Sequence, residues 1–486
     1  MAPGGKVGHK RVTELSELNV GELKGHEATN SFRRLLSSAF CSPSGRDGPF
    51  LWLGNFEAER HWDDPAALHL PSIPMTADAT IVNRLEEMTL LLAGAPDHVI
   101  LREQPDPGFM AYLAQLGFVL PSVIGIGSED RILPVSELIL KTDSFIECLR
   151  ELARLHSALC LLPFGKTRLE EAIGERTGVP VAGPPAQLLE TVNSKLYSRR
   201  VTEELGLRTV PGASCATFEA LELAAAEMSV YFPDRLVLKE AMGVSGKGLL
   251  VIESPERLER ALAMLGRKVK PGAPCRFVLE KWIDKVTDIN YQILVNADGS
   301  VRLLCIKEAV TRNGVHMGHY SPPQLTGPQR HDYEIAAEAI GKRLFDDGFV
   351  GIAGIDSIID QAGQVYPVLE INARFNMSTY QQALDRMVPP ESTTVVKHYP
   401  LAISGFVPFS GLRSVLEPIL FGLGGRREGV GIMCFGSVNC NLPGAKGAAK
   451  GRLYVFLTAR ERDAIEQLDT DVQARLAQCE GVIAVK

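Results

Sequence analysis

Residues 350–374 read VGIAGIDSIIDQAGQVYPVLEINAR. Two apolar runs, 350–359 and 365–371, flank a turn-forming stretch (DQAGQ, 360–364), the pattern of a β-hairpin. A hairpin centred near Gly363 sets Asp356 opposite Glu370. Asn372 lies two residues beyond Glu370 and projects from the same face, with Arg374 close behind. Two carboxylates and an amide oxygen form the kind of all-oxygen set that suits Mg²⁺, which completes its shell with phosphates and water. Most Asp/Glu pairs merely decorate a solvated face. Both of these strands are otherwise apolar, however, so the pair is mostly buried, and a buried like-charge pair is costly without a cation. The metal reading is the stronger one.

Upstream, residues 236–252 form an apolar strand ending in Lys239, a glycine-rich loop (GVSGKG, 243–248) and a returning strand. Glycines let backbone N–H groups approach phosphate oxygens, and lysines supply charge. The loop is not a Walker A motif: Ala241 stands where its first glycine would be, and Gly248 replaces the Ser/Thr after Lys247. On its own it is weak evidence. Residues 277–283 (FVLEKWI) read as a buried strand with a charged exit at Glu280 and Lys281. In 288–294, Asp288, Asn290 and Gln292 alternate with apolar residues, so one strand face is polar. That face is either solvent-facing or turned towards a ribose and phosphates. Strand 301–306 delivers Lys307 into a polar stretch (308–323) expected to be a loop, either a lid or disordered.

The remainder of the chain sets the context. With 486 residues there is material for two or three domains, and 45% hydrophobic with 22% charged residues is ordinary globular composition. The net charge of −7 argues against general nucleic-acid binding. Nine scattered cysteines without a CxxC pair read as buried thiols of a reducing compartment. The polar start at 1–12 lacks a signal-peptide core, and no apolar run is long enough to span a membrane, so a cytoplasmic protein is expected. Short apolar runs at 49–53, 98–101 and 118–120, with helical patterns at 108–116 and 143–157, suggest an α/β unit on a mainly parallel sheet, without a GxGxxG fingerprint. Gly183-Pro184-Pro185 marks its end. The expected division is 1–185, 186–404, and an α+β region at 405–486 that is either a third domain or a lobe of the second.

In order, these pieces resemble the ATP-grasp superfamily. The resemblance runs through PVAGPPAQLLETVNSK (180–195), LVLKEAMGVSGKG (236–248), VLEKWI (278–283), Lys307, GID (354–356) and VLEINAR (368–374). It covers about 200 residues, and Glu-x-Asn-x-Arg after a GxD strand is its most specific piece. The implied fold is a Rossmann-like pre-ATP-grasp α/β domain, an ATP-grasp fold that is α+β, and a small C-terminal α+β region.

The resemblance implies ATP and Mg²⁺ as cofactors, with Mn²⁺ able to substitute. Lys195 and Lys239 would contact ATP phosphates, Lys239 also lying near the adenine. Ser245 and Gly246 would lie in the closing loop. Glu280 would face the adenine amino group, backbone groups of Lys281 and Ile283 the ring edge, and Asp288 the ribose. Lys307 would reach the phosphates from the far side. Asp356, Glu370 and Asn372 would hold Mg²⁺, with Glu370 bridging two ions, and Arg374 would stabilise the transferred phosphoryl group. The long N-terminal domain and C-terminal tail resemble the pheganomycin-type peptide ligases of bacterial antibiotic pathways. These join a carboxylate donor to an amino-acid or peptide amine, and many ligases of this fold are homodimers. Two rivals share the fold: an enzyme loading an amino acid onto a carrier-protein thiol, and a non-catalytic ATP-binding regulator. The complete Asp356, Glu370, Asn372 and Arg374 set favours catalysis. His316 and His319, an HxxH without a third ligand, are expected to line the lid or acceptor pocket along with Arg312 and Tyr320.

Overall fold

The computed structural model describes residues 25–40, 48–71, 76–233, 235–243, 248–270, 274–312, 315–442 and 447–485. Its strands fall into three sheets that follow one another in chain order. The first comprises β1 (Phe50–Leu53), β2 (His98–Leu101), β3 (Ser122–Gly125) and β4 (Cys160–Pro163), all parallel in the order β3-β2-β1-β4. Parallel strands are covered on both faces, which is why β1 (FLWL) is uniformly apolar and buried along its length. The strand expected at 118–120 lies slightly later, at β3. Gly117 takes a left-handed φ of 88°, and the Phe118 N–H closes back on the Leu113 carbonyl at 3.2 Å. Phe118 is therefore the apolar residue that seals a helix end.

The second sheet is antiparallel: β5 (Gly212–Cys215), β6 (Leu236–Glu240), β7 (Leu249–Ile252) and β8 (Phe277–Lys281), ordered β5-β8-β6-β7. Helices Phe218–Tyr231 and Pro255–Gly266 share its core of Leu221, Leu238, Leu265, Phe277 and Leu279. Leu68 and Leu70, from the segment after β1, complete that core and tie the first sheet's connections to the second.

The third sheet holds β9 (Lys285–Val295), β10 (Val301–Arg312), β11 (Val315–Ser321), β12 (Gly351–Asp360), β13 (Val365–Asn372), β14 (Thr393–Ile403), β15 (Gly429–Cys434), β16 (Ala449–Ala459) and β17 (Val482–Val485). Its order is β13-β12-β9-β10-β11-β14-β16-β15, with β17 also paired to β14. Helix Gly327–Asp346 packs Tyr333 against Tyr291, ring centroids 5.2 Å apart, while Gln292 donates to Thr379 of helix Met377–Asp385 at 3.0 Å. Odd-numbered residues of β9 thus face one helix and even-numbered ones the other. The polar face of 288–292 is not a solvated surface: Asn290 and Gln292 are buried.

Residues 308–323 depart from expectation. Most of this stretch forms the β10/β11 pair, with Glu308 opposite Tyr320 and Ala309 opposite His319. The polar stretch is held by β9, the strand just before it, on one side and by the distant β14 on the other, a contribution that its own composition does not reveal. Residues 405–486 extend the same sheet through β15, β16 and β17, with helix Arg462–Leu476 packed on it. Among the described residues no helix is long and apolar enough to cross a membrane.

Candidate active site

The β12/β13 register places Asp356 opposite Glu370 and Gly354 opposite Asn372, while β9 sets Asn290 opposite Asp356. Asp356 accepts from the amides of Asn290 at 2.8 Å and Asn372 at 3.0 Å. Burial, reinforced by the negative charge of Glu370, pushes the Asp356 carboxyl up to about 6 despite those two bonds. Glu370 instead takes the Lys195 ammonium at 2.7 Å. Lys195 opens the helix Lys195–Glu204, capped by Ser194, and its Nζ also donates to the Gly243 carbonyl at 3.3 Å. One cation thus joins the β12/β13 hairpin to the lead of the glycine-rich loop.

A cavity of about 320 Å³ separates the second sheet from the third, within the range of about 300–1,000 Å³ typical of small-molecule sites. Lys195, Lys239, Glu280 and Lys281 are among its lining residues. Ile283, Asp288, Asp356 and Glu370 also line it, and so does the buried His319 of β11. Glu280 is itself buried and balanced by two cations, Lys239 at 2.6 Å and Arg199 at 3.0 Å. Asp288 accepts from Lys285 at 2.6 Å.

The other expected residues are placed differently. Ser245 and Gly246 lie outside the described residues, as do the side chains of Arg312 and His316. Tyr320 lies beneath Arg462, whose guanidinium is 4.6 Å from its ring centroid, and is not among the cavity lining. Asn372 faces a second, smaller cavity shared with Glu59, Trp62 and Glu370. The Arg374 guanidinium donates to Asn372 Oδ1 at 3.0 Å and to the Phe375 carbonyl at 2.9 Å. It also ion-pairs with Glu59, and burial lowers its pKa to about 10. Lys307 does not line the large cavity. Standing opposite Asn290, it is fully buried, its ammonium taken by Asp385 at 2.9 Å and the Ser378 carbonyl at 3.0 Å. In this structure Lys307 thereby anchors helix Met377–Asp385; its expected contact with the phosphates from the far side is not among these contacts.

Sequence reasoning passed over Arg199, although its spacing four residues after Lys195 puts both on one helix face. It also passed over Glu59 and Asp385, remote from every motif and without a local signal.

The hairpin fits Mg²⁺. Asp356 and Glu370 supply oxygen donors, and the buried Asn290 Oδ1 beside them has no hydrogen-bond partner among the described residues. No three His, Cys, Asp or Glu side chains cluster there among the described residues, so an ion would draw its further ligands from amide oxygen, phosphate and water.

Residues 85–179 match the family model for the pre ATP-grasp domain. Residues 194–383 match that for the ATP binding domain of the carbamoyl-phosphate synthase L chain. The chain is 27% identical over 332 residues to the [butirosin acyl-carrier protein]–L-glutamate ligase of Niallia circulans, spanning 68% of this chain and 73% of the ligase. It is 24% identical over 205 residues to the 2-oxoglutarate carboxylase small subunit of Hydrogenobacter thermophilus, 42% of either chain. The crystal structure of the biotin carboxylase domain dimer of the 2-oxoglutarate carboxylase from that organism, with MgADP, ADP and bicarbonate, superposes at a TM-score of 0.53 and 16% identity, covering 91% of this chain and 92% of that one. Biotin carboxylase of Campylobacter jejuni superposes at 0.52 and 15% identity, covering 92% and 93%. The chain belongs to the ATP-grasp superfamily of ATP- and Mg²⁺-dependent ligases, with a pre-ATP-grasp domain ahead of its nucleotide-binding one.

Proposed function

We propose that the protein activates the carboxylate of an amino acid or amino-acid derivative as an acyl phosphate and joins it to the amine of an amino acid or peptide, in peptide natural-product biosynthesis. A carboxylate oxygen attacks the γ-phosphorus of ATP and ADP leaves. The amine nitrogen then attacks the acyl carbon, phosphate departs, and the amine gives up a proton. The observation that carries this reading is that one cavity is lined both by the Asp356–Glu370 pair of the third sheet and by the Lys239–Glu280 pair of the second.

In this reading Lys195 and Lys239 exchange their carboxylate partners for ATP phosphates, and Glu280 turns to the adenine amino group beside Lys281 and Ile283. Asp288 holds the ribose. Asp356, Glu370 and Asn372 hold Mg²⁺, which when bound neutralises phosphate charge. Arg374 steadies the transferred phosphoryl group. Phosphoryl transfer depends mainly on positioning and charge neutralisation, so no covalent protein nucleophile is needed. Lys307 works from beneath, fixing the helix that covers the polar face of β9. Domain limits at about 185 and 404 belong to the same proposal.

A second reading replaces the amine by a carrier-protein thiol. It is favoured by the 27% identity to a ligase whose substrate is the butirosin acyl-carrier protein. The protein, ATP, Mg²⁺, hydroxylamine and a panel of amino acids test the shared half of both readings. Hydroxamate with ADP supports acyl-phosphate chemistry, and hydroxamate with AMP refutes it. Replacing hydroxylamine by pantetheine or by amino-acid amines then separates thiol from amine acceptors.

A further inference from the structure

Glu59 stands on the short helical turn Ala58–His61, close after β1, and from there reaches the catalytic hairpin in another sheet. One of its carboxylate oxygens ion-pairs with Arg374. The two side chains are only 15% and 11% exposed. Its second oxygen, Oε2, is buried and has no hydrogen-bond partner among the described residues. A strut whose whole role was to tie two lobes together would satisfy both oxygens, as buried carboxylates ordinarily do. This one leaves an acceptor idle beside a cavity.

That cavity measures about 10 Å³, room for one water-sized group. It is bounded by Glu59, Trp62, Asn193, Met242, Gly243, Glu370 and Asn372. Glu370 on its wall is already paired with Lys195, which leaves the idle Glu59 oxygen and the Trp62 indole as electron-rich groups that suit a small cation better than an anion. Arg374 does not line it but touches two residues that do, Glu59 and Asn372, and Glu59 occupies a position that a carboxylate bound by that guanidinium would need. In an α-amino acid the ammonium and the carboxylate are joined through a single carbon. A ligand whose carboxylate took Arg374 would therefore bring its nitrogen within reach of the displaced Glu59.

We propose that Glu59 selects the acyl donor. In the free protein its carboxylate stands in for the donor carboxylate on Arg374. When the donor arrives, Glu59 moves to a positively charged nitrogen on the carbon beside that carboxylate, as in an unblocked α-amino acid. The proposal rests on the ligase reading for the identity of the donor, and it assigns a specificity role to Glu59, which lies outside the segments at 180–195, 236–248, 278–283, 354–356 and 368–374.

The test is equilibrium binding by thermal shift, on the full chain with a non-hydrolysable ATP analogue and Mg²⁺. Free amino acids are compared with their N-acetyl and desamino counterparts, in the wild type and in Glu59→Gln. The expected result is that one or more free amino acids bind, their blocked counterparts do not, and Glu59→Gln weakens the free form by about 10- to 100-fold. Equal binding of free and N-acetyl forms, or no binding by any free amino acid, overturns the proposal. Should Glu59→Gln fail to fold, the ligand comparison on the wild type decides the matter alone. Hydroxamate and ADP, assayed with ATP in parallel, report on the ligase reading separately. Selective binding without hydroxamate sinks that reading but not the role of Glu59, while hydroxamate formed equally well from N-acetyl donors does the reverse.

Discussion

Exchanging Glu370 for glutamine keeps the shape of the β12/β13 hairpin and removes one of its two carboxylates that line the large cavity. Lys195 then loses a carboxylate at 2.7 Å. Because the two side chains are 13% and 22% exposed, solvent screens the pair in part, and the loss of stability should be about 1 kcal/mol. The functional loss should be far larger. Removing a single charge-stabilising group costs about 10²–10³ in rate, and Glu370 is proposed both to hold Mg²⁺ and to receive Lys195 in the resting state. Nucleotide binding gives an independent measure. A ligand at 100 times its Kd stabilises the folded state by about 2.7 kcal/mol, and the corresponding thermal shift with Mg·ADP should largely vanish in Glu370→Gln. Turnover is followed as ADP release and folding as the melting temperature without nucleotide. A folded Glu370→Gln protein whose Mg²⁺-dependent turnover stays within about tenfold of the wild type would refute the metal assignment.

Three further outcomes follow from the same contacts. Glu280→Ala leaves Arg199 and Lys239 without their shared buried counter-charge, and should lose about 3–5 kcal/mol in urea unfolding as well as affinity for ATP. Lys307→Met should destabilise on a similar scale by stranding Asp385, and adding Asp385→Asn should restore part of that loss; unchanged stability in the single variant would remove its anchoring role. Glu57, fully buried, is pushed up to about 7 by desolvation. Its folded pKa exceeds its unfolded one, so its contribution to stability is complete below about 4.5 and is lost as pH rises towards 7. Melting temperatures measured between pH 5 and pH 8 should fall less in Glu57→Gln than in the wild type.

The hairpin was legible because its register is local. Gly363 adopts a φ of 76° at the turn, and the pairing of Asp356 with Glu370 holds although a bulge shifts the ladder between Asp356 and Ile358. The walls of the large cavity were legible for a different reason: Lys239, Glu280 and Glu370 lie towards the ends of β6, β8 and β13, and these meet the middle of β12, with Asp356, at one cleft. What composition could not show depends on partners outside the stretch itself. Residues 308–323 form strands because β9 and β14 lie on either side of them. Lys307 turns from the cavity because Asp385, 78 residues on, takes its charge. Arg374 meets Glu59 across more than 300 residues, an encounter that no periodicity announces. The parallel sheet is legible as a class, but the run 118–120 reads as a strand where Phe118 closes a helix end, since three apolar residues after a glycine serve either.

The central claim is that a donor carboxylate oxygen is bonded to the γ-phosphorus of ATP during turnover. Once the donor panel has identified a substrate, its carboxylate is labelled with ¹⁸O and the phosphate released is analysed by mass spectrometry. One ¹⁸O atom carried into inorganic phosphate, with unlabelled ADP, is the result predicted here. Label appearing in AMP, or phosphate free of label while product forms, would contradict it.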